Sequence, residues 1–284
     1  MAEKWNLIVD VARCDNCRLC FLAVKDEYVG NDFPGISAAQ PADQQHTWLD
    51  IQRKERGAYP ILEARFIPVM CNHCDDAPCM KAAEGGAVRK RADGIVIIDP
   101  DKAKGQKKIM QACPYHAIYW NEEKDIPQAW PFDAHLLDEG WTRTRAEQAC
   151  PMDVYRTIKV NDEEMRRIQA EENLEVLRPE LGTNPRVYYK NLHRITACFV
   201  GGTVVEQVDG VEECAAGAQV VLTQNGQEVG QATTDLFGEF TIDRLEPRSG
   251  SYRLQVTGPS GSFSTEFELG DESPYLGVMT LSAG

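Results

Sequence analysis

Cys14, Cys17 and Cys20 stand in a C-x2-C-x2-C run, and Cys71, Cys74 and Cys79 in a wider C-x2-C-x4-C run. Two solitary cysteines, Cys113 and Cys150, each precede a proline. Three closely spaced thiols can wrap three corners of a [4Fe-4S] cube, and a remote Cys-Pro can supply the fourth. Two triplets and two remote donors make eight thiolates, enough for two such clusters. Paired structural zinc sites are the alternative, because all-cysteine zinc sites also use C-x2-C knuckles. A zinc ribbon, however, takes two cysteines from each of two knuckles, whereas each run here supplies three. His73, between Cys71 and Cys74, is expected beside a cluster or at the surface rather than as a ligand. The same holds for His46, His116, His135 and His193. Cys198 and Cys214 have no close cysteine neighbour and read as buried free thiols.

The surrounding sequence predicts what positions these loops. Leu7–Val11 is a short strand running into the first loop, and a helix opens over Cys20–Lys25. Ala87–Arg91 and Ile95–Ile98 flank Ala92-Asp93-Gly94 as a hairpin, and Ile118–Trp120 is a further short strand. Asn161 caps a helix that continues to about Leu177, with acids in its first turn and Arg178-Pro179 ending it. From about residue 196 the composition changes to strands at Thr203–Val205, Ala218–Leu222, Glu239–Ile242, Tyr252–Val256 and Ser264–Leu269, separated by Asn-Gly, Phe-Gly, Ser-Gly and Gly-Pro turns. The expected architecture is α+β, with a cluster domain over 1–195 and an all-β sandwich over 196–284. Ala232–Phe240 reads as the strand-turn-strand feature of the transthyretin or carboxypeptidase-regulatory kind.

Composition narrows the function. The chain has 284 residues, 43% of them apolar, and 44 acids against 30 bases give a net charge of -14. That surface disfavours nucleic-acid binding, which depends on clustered Lys and Arg. No eighteen-residue apolar run marks a membrane span. The start, Met1–Asn6, carries no basic stretch followed by a long apolar one, and the expected location is cytoplasmic. No glycine-rich phosphate loop and no catalytic constellation is apparent, so an electron carrier rather than a catalyst is expected.

The cysteine pattern resembles the iron-sulfur subunits that accompany molybdopterin enzymes of the dimethyl sulfoxide reductase type. Those subunits consist of two fused ferredoxin-like modules with four cysteine motifs, normally holding four clusters. The frame of all four motifs is visible here with half the ligands replaced. Val24, Ala83, Ala103, Gln106, Ile109, Trp130, Asp133 and Ala146 stand where the family places cysteine. The family exchanges fourth ligands between the first and last motifs and between the second and third. On that pairing Cys14, Cys17, Cys20 and Cys150 form one complete set, and Cys71, Cys74, Cys79 and Cys113 the other. Val24, Trp130, Asp133 and Ala146 then mark one lost cluster, and Ala83, Ala103, Gln106 and Ile109 a second. Spacing alone also permits a crossed pairing with Cys113 on the first triplet. Asp133, without its companions, is expected to be a solvated carboxylate.

Within this family the stretches Trp48–Pro60, Asp93–Pro100, Tyr119–Glu123, Ala134–Asp138 and Arg178–Thr183, and the β-rich tail, resemble the small subunits of pyrogallol-phloroglucinol transhydroxylase and resorcinol hydroxylase. The transhydroxylase subunits resemble a three-cluster version, from which this sequence departs by the loss of Val24, Trp130, Asp133 and Ala146 as ligands. The resemblance implies two [4Fe-4S] clusters in this chain, a large partner subunit holding the molybdopterin cofactor and substrate pocket, and an external electron acceptor. The complex would hydroxylate or transhydroxylate polyhydroxybenzenes. Two alternatives stand beside it: the electron-transfer subunit of another molybdopterin reductase or dehydrogenase, and a non-enzymatic interaction protein stabilised by its metals.

Overall fold

The computed structural model describes residues 2–43 and 45–282. By internal contacts the chain divides into two compact units, one made of 1–52 and 66–192, the other of 53–65 and 193–284.

The first unit is organised around β1 (Lys4–Asp10), which is buried on both faces from Trp5 to Val9, all apolar but Asn6. The first cysteine loop comes next, then α1 (Leu19–Tyr28). A long hairpin, β2 (Leu49–Ala58) and β3 (Ile61–Met70), leads to the second loop and α2 (Pro78–Ala82). Beyond it lie the hairpin β4 (Val88–Lys90) and β5 (Val96–Ile98), α3 (Lys107–Gln111), and the hairpin β6 (Tyr119–Asn121) and β7 (Ile126–Gln128). α4 (Ala134–Asp138), α5 (Arg145–Ala149), β8 (Tyr155–Val160), α6 (Asp162–Glu171) and β9 (Val187–Lys190) complete the unit. β1 lies centrally in the order β8-β1-β9, antiparallel to β8 and parallel to β9.

α6 starts where expected, with the Asn161 side chain accepting from Glu163 N and Glu164 N. It ends at Glu171, earlier than Leu177. Asn173 takes a left-handed conformation (φ 51°), and Leu174 turns back onto Ile8 and Met165.

The second unit begins with the short helix α7 (His193–Thr196) and continues as β10 (Cys198–Val208), β11 (Val211–Cys214), β12 (Gln219–Gln224), β13 (Gln227–Thr233), β14 (Glu239–Leu245), β15 (Gly250–Gly258), β16 (Gly261–Leu269) and β17 (Tyr275–Thr280). One sheet runs β11-β10-β14 with β17 also on β10, and the other runs β13-β12-β15-β16. Val200, Val204, Phe240 and Ile242 from the first sheet share one apolar core with Val220, Leu222, Leu254 and Val256 from the second. Alternation produces this: in β15, Tyr252, Leu254 and Val256 are buried while Arg253 and Gln255 are exposed.

The tip of the β2–β3 hairpin belongs to this unit. Ile61 Cδ1 fills the space left by Gly201, where an added Cβ would lie 3.0 Å away. Arg56, almost fully buried, binds Asp243 at 3.0 Å, Glu63 at 2.9 Å and the Ala197 carbonyl at 2.9 Å. Cys198 is buried, as its surroundings in the sequence suggest, but Cys214 is exposed on β11 and is not a core thiol. β11 has no buried residue to draw it inward.

Candidate iron-sulfur centres

The β1/β8 register explains how Cys150 reaches the first loop. Val9 pairs with Tyr155, and Asp10 N bonds the Val154 carbonyl at 2.8 Å. Cys14 lies five residues beyond Val9, and Cys150 five residues before Tyr155, so the two cysteines leave the same end of the strand pair. Cys14 stands within electrostatic reach of Cys17 and Cys150, and Cys20 within reach of Cys14 and Cys150. Arg13 Nη1 also bonds the Asp153 carbonyl at 3.2 Å, tying the two loops together.

The second gathering forms within the same unit. Cys71 is within reach of Cys74, Cys79 and Cys113, and Cys79 within reach of Cys74 and Cys113. Cys79 rides on α2, and Cys113 comes directly after the end of α3. Cys74 and Cys79 lie in an apolar cluster with Ala77, Val88, Val96, Ala103, Ile109 and Ile118, and Cys113 packs against it.

The backbone around each thiol is shaped alike. Asn16 and Arg18 in the first loop and His73 in the second have positive φ, as do His116 and Asp153, each three residues after a Cys-Pro cysteine. Such residues turn successive amide N–H groups into an anion-binding concavity, a device also found at iron-sulfur sites. The Asn16 amide donates to Cys14, that of His73 to Cys71, those of Tyr115, His116 and Ala117 to Cys113, and Val154 N to Cys150 Sγ at 3.5 Å. Tyr155 Oη donates to Cys20 Sγ at 3.2 Å inside the core.

Burial makes six of the thiols, Cys14, Cys20, Cys71, Cys74, Cys79 and Cys113, poorer acids than a free cysteine. Burial raises Cys14, and burial pushes Cys20 up to about 11. Burial and then the charges of Cys113 and Cys74 push Cys79 up to about 12. Thiols crowded together and shielded from water ionise only when a cation compensates them, so the donor set fits a metal centre that deprotonates its ligands. Among the described residues no group of three or more His, Cys, Asp or Glu is close enough to hold a single ion. A [4Fe-4S] cube takes four thiolates, one on each iron.

The eight positions where the family places cysteine are otherwise occupied. Val24, Trp130, Asp133 and Ala146 are all buried. Asp133 is not solvated as the sequence suggested: it is fully buried and accepts hydrogen bonds from Tyr28 Oη (2.8 Å), Trp130 Nε1 (2.8 Å) and Arg145 N (2.7 Å). Burial raises its pKa above the ordinary value against the pull of these donors. Trp130 stacks on Phe132 at 5.0 Å, and His73 meets Phe132 edge-on at 5.1 Å. Ala103 and Ile109 are buried in the apolar cluster around the second set, and Gln106 binds the backbone of Glu84 and Lys102.

His73 accepts from Val96 N at Nδ1 (3.1 Å), and burial lowers its pKa to about 3, so it is a neutral ring beside the second set. Of the other histidines, His116 is exposed and His193 partly so. His46 and His135 are interior rather than superficial, His135 binding Glu27 at 2.8 Å. The sequence does hold a signal for the interior place of Asp133, since it lies in the aromatic stretch Trp130-Pro131-Phe132.

Fold and site together define a ferredoxin-like iron-sulfur protein. Residues 62–160 match the 4Fe-4S dicluster domain family. The chain is 42% identical to the pyrogallol hydroxytransferase small subunit of Pelobacter acidigallici, over 98% of this chain and 100% of that one. It is 33% identical to the arsenate respiratory reductase iron-sulfur subunit ArrB of Shewanella sp. (strain ANA-3), over 48% of this chain and 53% of that one. To the thiosulfate reductase electron transfer subunit PhsB of Salmonella typhi it is 26% identical, over 59% of this chain and 82% of that one. The chain belongs to the iron-sulfur electron-transfer subunits of molybdopterin enzymes of the dimethyl sulfoxide reductase family. Among the described residues no helix is long and apolar enough to cross a membrane.

Proposed function

We propose that this chain carries two [4Fe-4S] clusters, one on Cys14, Cys17, Cys20 and Cys150 and one on Cys71, Cys74, Cys79 and Cys113. It passes electrons for a large subunit that holds molybdopterin and hydroxylates or transhydroxylates polyhydroxybenzenes. The observation that carries this is the separation of eight thiols into two quartets, each a triplet with one remote Cys-Pro thiol. The polyhydroxybenzene chemistry rests on the full-length similarity to the pyrogallol hydroxytransferase subunit, which includes the β-rich tail. We assign that tail to the transthyretin or carboxypeptidase-regulatory kind on its strand-turn-strand feature at Ala232–Phe240, and place the complex in the cytoplasm.

In this role the protein's own residues fix the thiolates, exclude water and supply N–H and O–H donors to sulfur. The clusters, when bound, take up and release one electron each. A net hydroxylation yields two electrons per turnover, which two centres can hold before an external acceptor removes them. The test is anaerobic purification of the chain with its partner. Brown protein with iron for two cubes, a molybdenum-containing large subunit and turnover of di- or trihydroxybenzenes is the expected result. Colourless, zinc-loaded protein would sink the electron-transfer role, and activity confined to oxyanions or sulfur compounds would sink the aromatic one.

A further inference from the structure

The β4–β5 hairpin, which supplies the Val96 amide to His73, also brings a cation to the second cysteine loop. Lys90, the last residue of β4, donates from Nζ to the carbonyl oxygens of His73 (3.0 Å) and Cys74 (2.9 Å). It also pairs with Asp75 Oδ1 at 2.6 Å. Three acceptors thus hold an ammonium that is only 18% exposed, and Lys90 and Cys74 feel each other's charge.

Asp75 is gripped from its other side by Arg186, whose Nε donates to Oδ1 at 2.7 Å and whose Nη2 binds Oδ2. Arg186 is itself 4% exposed and continues to Asp162 at 2.9 Å, which Lys4 meets at 2.7 Å. Gly94 leaves room for this packing, since a Cβ there would lie 2.9 Å from Arg186 Cδ and 3.1 Å from Lys4 Cβ. Lys4, Lys90 and Arg186 against Asp75 and Asp162 leave the network with one excess positive charge, and Lys90 is the cation nearest the thiols. In the first quartet, Cys14 and Cys20 answer to burial, hydrogen bonds and acidic or thiol neighbours, with no cation among their resolved influences.

The geometry points to Lys90 as a positioning residue that sets the reduction potential of the centre on Cys71, Cys74, Cys79 and Cys113. This rests on that quartet holding a cluster. Reduction adds one negative charge to a centre, so a fixed positive charge close by favours the reduced form and raises the potential. Because three acceptors anchor the ammonium, it cannot swing into solvent and be screened. Asp75 offsets part of its field.

The test is an EPR-monitored redox titration of the cluster-loaded full chain. Lys90→Gln keeps amide donors for the two carbonyls and removes the charge. We expect the reduction equilibrium of the second centre to fall about tenfold, which is about 59 mV for one electron, with the first centre unmoved. Asp75→Asn shifts the second centre the opposite way, and Lys90→Arg restores it to near its starting value. If Lys90 only clamps the loop, Lys90→Gln and Asp75→Asn move the potential in the same direction, and that result overturns the proposal. An unmoved potential in iron-replete Lys90→Gln does the same. Should Lys90→Gln fail to load iron, the opposite shift in Asp75→Asn decides alone, and its absence counts against the proposal. Iron content tells this failure from that of the parent assignment: wild-type protein with iron for a single centre removes the second cluster itself.

Discussion

The two cysteine quartets share a plan but sit in different surroundings. In the first, Cys17 is exposed and Cys14 and Cys150 are partly exposed, at the edge of a helix whose Leu19 and Leu22 also face solvent. In the second, no cysteine is exposed, and Cys74, Cys79 and Cys113 pack with Val88, Val96, Ile109 and Ile118. Hydrogen bonds to sulfur, nearby charge and access to solvent all tune an iron-sulfur centre, so one chain can hold two cubes with separate responses. The difference arises from the segment after each triplet. α1 leaves Leu19 and Leu22 exposed, whereas Cys74 and Cys79 pack against Val88 of β4, Val96 of β5 and Ile109 of α3.

The largest expected effect comes from removing a remote ligand. Cys150→Ala should abolish the EPR signal of the first centre, with loss of about half the iron, and leave the second intact. Cys113→Ala should do the reverse. Loss of the second signal in Cys150→Ala, or of the first in Cys113→Ala, would favour the crossed pairing, and equal damage to both signals would break the comparison.

Next in size is a stability change that moves neither centre. Asp133→Ala leaves the Tyr28 hydroxyl, the Trp130 indole and the Arg145 amide unpaired in the core, and should cost about 2–3 kcal/mol in chemical denaturation. If it also removed either cluster signal, Asp133 would belong to a centre and not to the filling of a lost one.

Acid separates the two units. Burial works to raise Asp243, but hydrogen bonds and charge from Arg56 outweigh it, and its folded pKa lies below the ordinary value. A depressed carboxyl contributes stability that is fully present above its unfolded pKa of about 4 and is lost as pH falls through the folded value. Asp133 has the opposite sign. Its pKa is raised, so it binds a proton more readily folded than unfolded, and acidification favours the folded state there. Asp243→Asn should therefore flatten the acid limb of thermal stability, whereas Asp133→Asn should steepen it. Parallel changes would refute the sign given to one of them.

The smallest effect probes the first quartet alone. Tyr155→Phe removes the buried O–H donor to Cys20 and should lower the first centre's potential by less than the about 59 mV of one tenfold step. The second centre should not respond.

Much of this was legible in the sequence because cysteine spacing is a covalent signal and alternation a geometric one. The cysteine triplets, the β4–β5 hairpin and the main strands of the tail emerge from those patterns. β11 and β13 escaped because they are edge strands with scarcely any buried side, so Gln227–Thr233 shows no apolar alternation. The interior place of Asp133 was missed because its three donors come from Tyr28, Trp130 and Arg145, and two of those are distant in the chain. Residues 53–65 have the charged composition of an exposed hairpin, and Arg56 finds its ion partner in Asp243 only after folding.

That hairpin tip also imposes an order on the making of the molecule. Residues 53–65 leave the ribosome well before β10, which carries Gly201, and β14, which carries Asp243. At ~5–20 residues per second, the roughly 130 residues in between take about 7 to 26 seconds to appear. During that interval Arg56 lacks Asp243 and Ile61 lacks Gly201. The β-rich unit therefore cannot mature as a late, self-contained module: its first piece is synthesised early and waits.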